Sequence, residues 1–210
     1  MIETLDQPSL LAACEKLAER DTDLASIFKT YGPPPLWQRE ANFATLIHII
    51  LEQQVSLASA LSAFNKLKEK LGVISPENVL ALSDEELKAC YFSRQKTVYA
   101  RELAKAILKG SLNFAALRQL PDAEAKTELK KIKGIGEWTA DIYLLMALLR
   151  ADVMPKGDLA LHAAYQKLKS LDAAPKSDEF QFIAESWQPF RAAAARLLWH
   201  FYLSERKRVE

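Results

Sequence analysis

The stretch 129–161, LKKIKGIGEWTADIYLLMALLRADVMPKGDLAL, decides how this chain folds. Apolar residues recur at helical spacing before its glycines and again after them, which predicts two helices. The short segment KGIG, from Lys133 to Gly136, must then be a tight turn, because glycine tolerates positive φ and lets another backbone approach closely. The stretch therefore predicts a helix-hairpin-helix.

The start of the second helix is a candidate anion site. The amides of Ile135, Gly136 and Glu137 would point outward at a helix N-terminus, where a phosphate of a nucleic acid could accept their hydrogen bonds. Four lysines lie close by in sequence: Lys126, Lys130, Lys131 and Lys133. A glycine that ends one helix before a plain turn explains the same glycine spacing, so both interpretations stay open.

The rest of the chain predicts an all-α fold. The pattern is helical from Phe43 to about Glu52, Ser56 could cap a following helix that ends at Gly72, and another helix runs from about Arg94. Further helices follow Pro121 and Asp158, and no segment shows the alternation of a strand.

Bulk properties exclude several classes of protein. With 210 residues, half of them hydrophobic, the chain can bury a full core, and its net charge of +1 gives no global basic field. Any contact with DNA must therefore come from locally grouped bases. Cys14 and Cys90 are too few for a disulfide framework or a zinc site. This cysteine usage predicts a reduced cytosolic compartment. The sequence shows no signal pattern and no apolar run of spanning length, so a soluble protein is expected.

Asp158 is the isolated acid of the opening stretch. It follows the aperiodic segment MPKG and precedes a helical pattern, so it is expected to be an N-cap. Capping is compatible with catalysis, because amides at a helix start hold a carboxylate ionised and fixed in direction. The three histidines show no metal-ligand spacing and are assigned no role: His48, His162 and His200.

Two motifs resemble a known family. The pattern L-x-x-I-x-G-I-G-x-W-T-A followed by M-P-x-G-D-L is similar to the helix-hairpin-helix DNA glycosylases, and within them to the 3-methyladenine DNA glycosylase II (AlkA-type) branch. The segment IILEQQVS, residues 49–56, matches an upstream element of that branch. The resemblance covers 43–202. It implies one domain over 1–210, an orthogonal helical bundle with a central cleft, in which one lobe spans about 41–118 and the other combines 1–40 with 119–210.

The resemblance also implies a chemistry. Asp158 would be the catalytic carboxylate that breaks the N-glycosidic bond of an alkylated purine flipped out of the duplex. Trp138 stands where relatives with lyase activity carry a Schiff-base lysine, which implies a monofunctional glycosylase. Trp138, Trp199 and Trp37 would line the base pocket, where an indole attracts a cationic base. Periodicity alone makes the first two of them core residues.

DNA contacts follow from the same resemblance. Gln54 would fill the gap that the extruded nucleotide leaves, although a solvated helix end also explains this glutamine and its neighbour. Glu137 departs from relatives, because an acid there would repel a phosphate. The full set of expected DNA-contacting residues is Gln53, Gln54, Ser56, Lys133, Gly134, Ile135, Gly136, Glu137 and Thr139.

The implied cofactors and partners are few. Backbone carbonyls of Lys130, Ile132 and Ile135 would hold a structural Na or K ion, and two cysteines exclude the four-cysteine iron–sulfur cluster of some relatives. The expected partner is double-stranded DNA with damaged bases, with no membrane. A cytoplasmic monomer is expected, nucleoid-associated in a bacterium.

Two other functions remain open at this stage. The same scaffold supports glycosylases for deaminated or mismatched bases, and helix-hairpin-helix units also occur in non-catalytic DNA-binding proteins. Asp158 separates an enzyme from a pure binding module.

Overall fold

The computed structural model describes residues 3–207, with side chains through Arg206. Over these residues the fold is all-α, as predicted, and the sole β-type pairing found there is an isolated bridge between Thr4 and Arg150. In the same part of the chain, no helix is both long and apolar enough to cross a bilayer.

The chain divides into two compact units. The terminal unit combines the residues up to Gln38 with those from Leu148 onward, and the inner unit is the continuous segment Arg39–Ala147. The sequence-based lobes placed 119–147 with the termini, whereas the structure groups this segment with the inner unit. The physical reason is packing, because the helix after the hairpin contacts helices of the inner unit.

Helices of the inner unit surround a buried apolar helix, α3, which contacts α4, α7 and α10. Four α3 residues are fully buried: Leu46, Ile47, Ile49 and Ile50. The helices of this unit are α3 (Phe43–Glu52), α4 (Leu57–Leu71), α5 (Pro76–Ala81), α6 (Asp84–Ala89), α7 (Arg94–Leu108), α8 (Phe114–Gln119), α9 (Asp122–Lys130) and α10 (Glu137–Met146).

The terminal unit is organised around its last helix. Its helices are α1 (Gln7–Arg20), α2 (Thr22–Tyr31), α11 (Leu159–Leu168), α12 (Ser177–Ala184) and α13 (Arg191–Lys207), with a 3-10 turn at Glu185–Trp187. Helix α13 contacts α1, α2 and α11. Its buried alanines, 192–195, let these neighbours approach closely.

Helix starts follow the capping rules that the sequence analysis used. Most helices begin at a side chain that accepts a first-turn amide, and Ser56 and Asp158 are the caps of α4 and α11, as predicted. Gly72 ends α4 with a positive φ of 68°. Helix α10 differs, because it begins at Gly136 and has no side-chain cap.

Candidate functional site

Asp158 is held by donors from two helices of the terminal unit. Its side chain is buried, with 7% of the residue exposed. The Leu161 amide donates to Asp158 Oδ1 at 2.9 Å, and the indole N–H of Trp199 donates to the same oxygen at 3.2 Å. These donors fix the carboxylate in direction. An ionised carboxylate held in this way can stabilise a cation or activate a water molecule.

An aromatic pair adjoins this carboxylate. The ring of Trp37 meets Trp199 edge-on, with ring centroids 6.3 Å apart, in the arrangement that aromatic pairs prefer. Trp37 is half-buried and has φ +48°, a strained backbone for a tryptophan. The structure thus brings together three residues that the sequence singled out separately: Asp158, Trp199 and Trp37.

His162 lies one helical turn after Asp158 and was missed by the sequence analysis. It is buried, and its ring packs on Phe180 with centroids 4.8 Å apart. Burial lowers the pKa of His162, while the Asp158 carboxylate and a hydrogen bond to Pro175 oppose this shift. The signal was its position four residues after the acid, which on a helix places both on one side. A neutral imidazole adds no positive charge beside the carboxylate.

Trp138 belongs to the inner unit. It lies in the first turn of α10 and is half-buried, so it is not a fully enclosed core residue. Tryptophan has no amine and cannot form a Schiff base.

The hairpin turn depends on Gly134. Its φ is +98°, and a Cβ built there would lie 2.1 Å from Cγ of Tyr99 on α7. The turn is closed by the amide of Ile135, which donates to the Ile132 carbonyl at 3.0 Å. Glycine permits a positive φ at both positions, and Gly134 adopts one, whereas Gly136 has a φ of −94° that suits any residue.

The exposed start of α10 fits an anion. Gly136 is exposed, and a Cβ added to it would meet no atom within 4 Å. No side chain caps this ten-residue helix, so the positive end of its dipole lies at the exposed Gly136. The open space at Gly136 is what a close approach by a phosphate requires.

Acidic residues neutralise part of the positive charge near the hairpin. Glu137 pairs with Lys126 at 2.6 Å and also with Lys130, and Lys126 reaches Asp141 at 2.8 Å. Hydrogen bonds from these two lysines lower the pKa of Glu137 to about 2. Glu137 therefore turns to the lysines of α9. Lys133 is exposed at the turn itself.

Gln53 and Gln54 have different surroundings although they are neighbours. The amide of Gln53 donates to the Gly134 carbonyl at 2.9 Å and to the hydroxyl of Thr139 at 2.8 Å. Gln54 is exposed at φ +57°, and the exposed Ser56 follows it as the cap of α4. Gln54 is thus displayed on a strained loop, whereas Gln53 braces the hairpin.

Thr139 does not present its side chain to DNA, contrary to expectation. Only 2% of the residue is exposed, and its hydroxyl accepts the hydrogen bond from Gln53. The side chain cannot reach a phosphate because it is packed inside the inner unit. The expected contact by the side chain of Gln53 conflicts in the same way with its two internal hydrogen bonds.

The expected cation site stays a prediction, and the state of its carbonyls shows whether an ion would fit there. The Ile132 carbonyl already accepts one hydrogen bond, which leaves it one lone pair for an ion. The side chains of Ile132 and Ile135 are buried, so both carbonyls lie in a well-ordered turn. The donor set of uncharged oxygens suits Na or K rather than a transition metal. Within residues 3–207, no group of three or more His, Cys, Asp and Glu side chains could hold a metal ion.

Comparisons with known proteins identify the family. The HhH-GPD superfamily of base excision DNA repair proteins matches residues 47–189. DNA-3-methyladenine glycosylase 1 of Schizosaccharomyces pombe is 30% identical over 84% of this chain and 79% of its own length. The solved structure of an S. pombe 3-methyladenine DNA glycosylase in complex with abasic DNA superposes with a TM-score of 0.81 at 29% identity, covering 90% of this chain and 95% of that one. The Bacillus subtilis protein YfjP is 27% identical over 85% of this chain, which spans 65% of that protein's length. The chain therefore belongs to the HhH-GPD superfamily of base excision DNA repair proteins.

Proposed function

We propose that this protein is a DNA glycosylase that removes alkylated purines, of the 3-methyladenine and 7-methylguanine type, from double-stranded DNA. The names of its relatives support this substrate class. The observation that carries the proposal is the Asp158 carboxylate, which is buried and held by the Leu161 amide and the Trp199 indole. A protein that only clamps phosphates has no need of a buried, directed carboxylate beside aromatic rings.

The chemistry needs one anion. As the bond between the anomeric carbon and the base nitrogen breaks, its electron pair leaves with the base and positive charge builds on the sugar. Asp158 would stabilise that charge and accept the proton of a water molecule that attacks the anomeric carbon. Alkylation makes the purine a good leaving group, so a second acid is not required.

Aromatic rings would select the cationic base. Trp37 and Trp199 lie beside the carboxylate in the terminal unit, and an indole face attracts a positively charged ring by about 0.5 to 2 kcal/mol. Trp138 is proposed as a further pocket residue on the strength of the motif match alone. Because it replaces a lysine of lyase-active relatives, the product would be an abasic site with an uncut backbone.

DNA would be held by the inner unit. The uncapped start of α10 would bind one phosphate with the amides that follow Gly136, and Lys133 would add a charge beside it. Gln54 would enter the gap left by the flipped nucleotide. A Na or K ion on the carbonyls of Lys130, Ile132 and Ile135 would add positive charge behind the phosphate. We propose that the protein acts as a monomer at the chromosome, which in a bacterium is the nucleoid.

Replacing Asp158 with Asn tests the enzymatic assignment. We expect the variant to bind duplex DNA as the wild type does and to release 7-methylguanine at least a hundredfold more slowly, because the amide cannot stabilise the sugar cation. Release is measured in single turnover, and strand breaks are scored with and without alkali. Wild-type breaks that need no alkali would contradict the monofunctional proposal.

A panel of damaged duplexes distinguishes the alternatives. If the protein releases the base from uracil or mismatch duplexes but not from alkylated ones, it is a glycosylase for deaminated or mismatched bases. If the protein binds these duplexes but releases no base from any of them, it is a non-catalytic DNA-binding protein. Unchanged release by the Asp158→Asn variant would end the role proposed for Asp158.

A further inference from the structure

Two donors converge on one oxygen of Asp158. The Leu161 amide belongs to the same helix as the acid, whereas the Trp199 indole N–H comes from α13. A single N-cap bond leaves the carboxylate plane free to rotate about that bond, but a second donor from another helix removes this freedom. Trp199 thus fixes the plane of the Asp158 carboxylate, which the Leu161 amide alone cannot do.

We propose that Trp199 is a positioning residue that acts on catalysis through its indole N–H, by orienting the Asp158 carboxylate. This inference rests on the proposed glycosylase function and changes the part that Trp199 plays in it. The edge of the ring, rather than its face alone, then contributes to bond cleavage. Since the donor is already in place before substrate binds, no reorganisation is needed during the reaction.

The surroundings of Trp199 hold the indole in this orientation. Only 8% of the residue is exposed, and Trp37 packs edge-on against it. One turn earlier on α13, the buried Arg196 donates from Nε to the Leu36 carbonyl at 2.9 Å and from a terminal nitrogen to the Ala192 carbonyl at 3.1 Å. Arg196 therefore ties α13 to the segment that carries Trp37, and the same helix presents the indole N–H to Asp158.

The chain contains a matched arrangement away from this site. Trp187 donates its indole N–H to Oδ2 of Asp21 at 2.8 Å, and Asp21 is the N-cap of α2. Trp187 is buried like Trp199. Each tryptophan therefore bonds an N-cap aspartate in the terminal unit, and only one of these aspartates is the proposed catalytic acid. Replacing each tryptophan with phenylalanine removes a comparable hydrogen bond.

The kinetic test compares Trp199→Phe with Trp187→Phe. Phenylalanine keeps an aromatic ring and most of the apolar volume but has no donor. We expect Trp199→Phe to slow single-turnover release of 7-methylguanine about ten- to a hundredfold, the usual worth of a hydrogen bond to a charged group, with unchanged DNA affinity. Trp187→Phe should release the base at the wild-type rate. Both variants should lower the Tm to a similar extent.

A spectroscopic test detects the hydrogen bond directly in the full chain. In nitrogen–proton correlation spectra, the indole signals of Trp199 and Trp187 are assigned from the two phenylalanine variants. Asp158→Asn, which keeps Trp199, should move the Trp199 signal upfield and leave the Trp187 signal in place. If Trp199→Phe does not fold, the Trp199 signal is assigned by elimination from Trp37→Phe, Trp138→Phe and Trp187→Phe, because the chain has four tryptophans.

Several outcomes would overturn the inference. Wild-type release by Trp199→Phe would show that the N–H is not needed, and equal loss of rate in both phenylalanine variants would indicate a purely structural role. If the Trp199 signal does not move in Asp158→Asn, the hydrogen bond between Trp199 and Asp158 does not form in solution. Failure of the proposed function looks different, because the wild type would then release no alkylated base while the indole signal still responded to Asp158→Asn.

Discussion

Glu137 sets how much positive charge the hairpin offers to DNA. It holds Lys126 and Lys130 in ion pairs, so these two lysines are partly neutralised by an acid of the same unit. A phosphate that approaches the start of α10 meets the negative charge of Glu137 as well as the outward amides. At the scale of single residues, this side chain is expected to reduce affinity for DNA of any sequence.

Replacing Glu137 with Gln should therefore tighten DNA binding. Lys130 is then released and can pair with a phosphate, whereas Lys126 keeps its pair with Asp141, so the slope of log K against log salt should become steeper by about 1. Because hydrogen bonds from the lysines hold the pKa of Glu137 at about 2, the difference from the wild type should be the same at pH 5 and pH 7. The contribution of these pairs to stability is full above the ordinary pKa of 4.5 and is lost as the pH falls toward 2.

Salt titrations of binding to an undamaged duplex measure this effect. Glu102→Gln is the control, because Glu102 pairs with Lys105 on α7 in the same exposed manner. Weaker or unchanged binding by Glu137→Gln would mean that the acid does not oppose DNA.

At the scale of elements, the hairpin is held in place by side chains from two other helices. Tyr99 of α7 fills the space beside Gly134, and Gln53 at the end of α3 bonds the Gly134 carbonyl. The two glycines of the turn consequently have separate functions. Gly134 permits a fold that no larger residue could adopt, while Gly136 keeps the outer surface of the turn open.

Two substitutions should separate these functions. Gly134→Ala should lower the free energy of unfolding by about 2 to 4 kcal/mol, because its φ of +98° is strained for alanine and its Cβ would overlap Tyr99.

Gly136→Val should leave the free energy of unfolding within about 1 kcal/mol of the wild type, since the position is open and its φ is ordinary. It should nevertheless weaken duplex binding at least tenfold by blocking the approach of a phosphate. Urea unfolding and a binding titration on each variant test both claims. Equal stability of the two variants would contradict the first claim, and wild-type binding by Gly136→Val would contradict the second.

At the scale of the whole molecule, charge is nearly balanced. The net charge of +1 means that affinity for DNA cannot come from a general positive field. It must come from the phosphates that particular amides and lysines contact. A balanced surface also limits retention on undamaged DNA, which outnumbers any lesion in a genome.

Binding should nevertheless weaken steeply with salt. If about four phosphates are contacted, the slope of log K against log salt is about −3 to −4, because each contact releases condensed counterions. The measurement is a titration of the wild type between low and physiological salt with a duplex that carries one lesion. A flat titration would argue against a DNA footprint of this size.

How much could be predicted from the sequence depended on the range of the interaction. Helix starts at Ser56 and Asp158 and the turn at Gly134 are set by neighbours within a few residues, so local patterns found them. The resemblance also indicated Trp199, which donates a hydrogen bond to the acid, and the proline-flanked Trp37 packs against that indole.

Contacts between distant parts of the chain could not be predicted in this way. The bond from Trp199 to Asp158 joins residues that are 41 positions apart, and the brace from Gln53 to Thr139 joins residues 86 positions apart. No periodicity encodes such pairings, because they depend on how whole helices pack. For the same reason, Thr139 was assigned to DNA when its hydroxyl is buried, and the hairpin was grouped with the wrong segments of the chain.

The inner unit lies within the sequence of the terminal unit, so the two units can fold at different times as the chain leaves the ribosome. Residues 39–147 are contiguous and can condense as soon as they emerge, whereas α1 and α2 gain their contacts with α13 only after residues 191–207 have been made. A nascent chain thus carries its hairpin before it carries a finished acid site. Under the proposed function, release of a base would become possible only after α11 and α13 have both been made, because Asp158 caps the first and Trp199 belongs to the second.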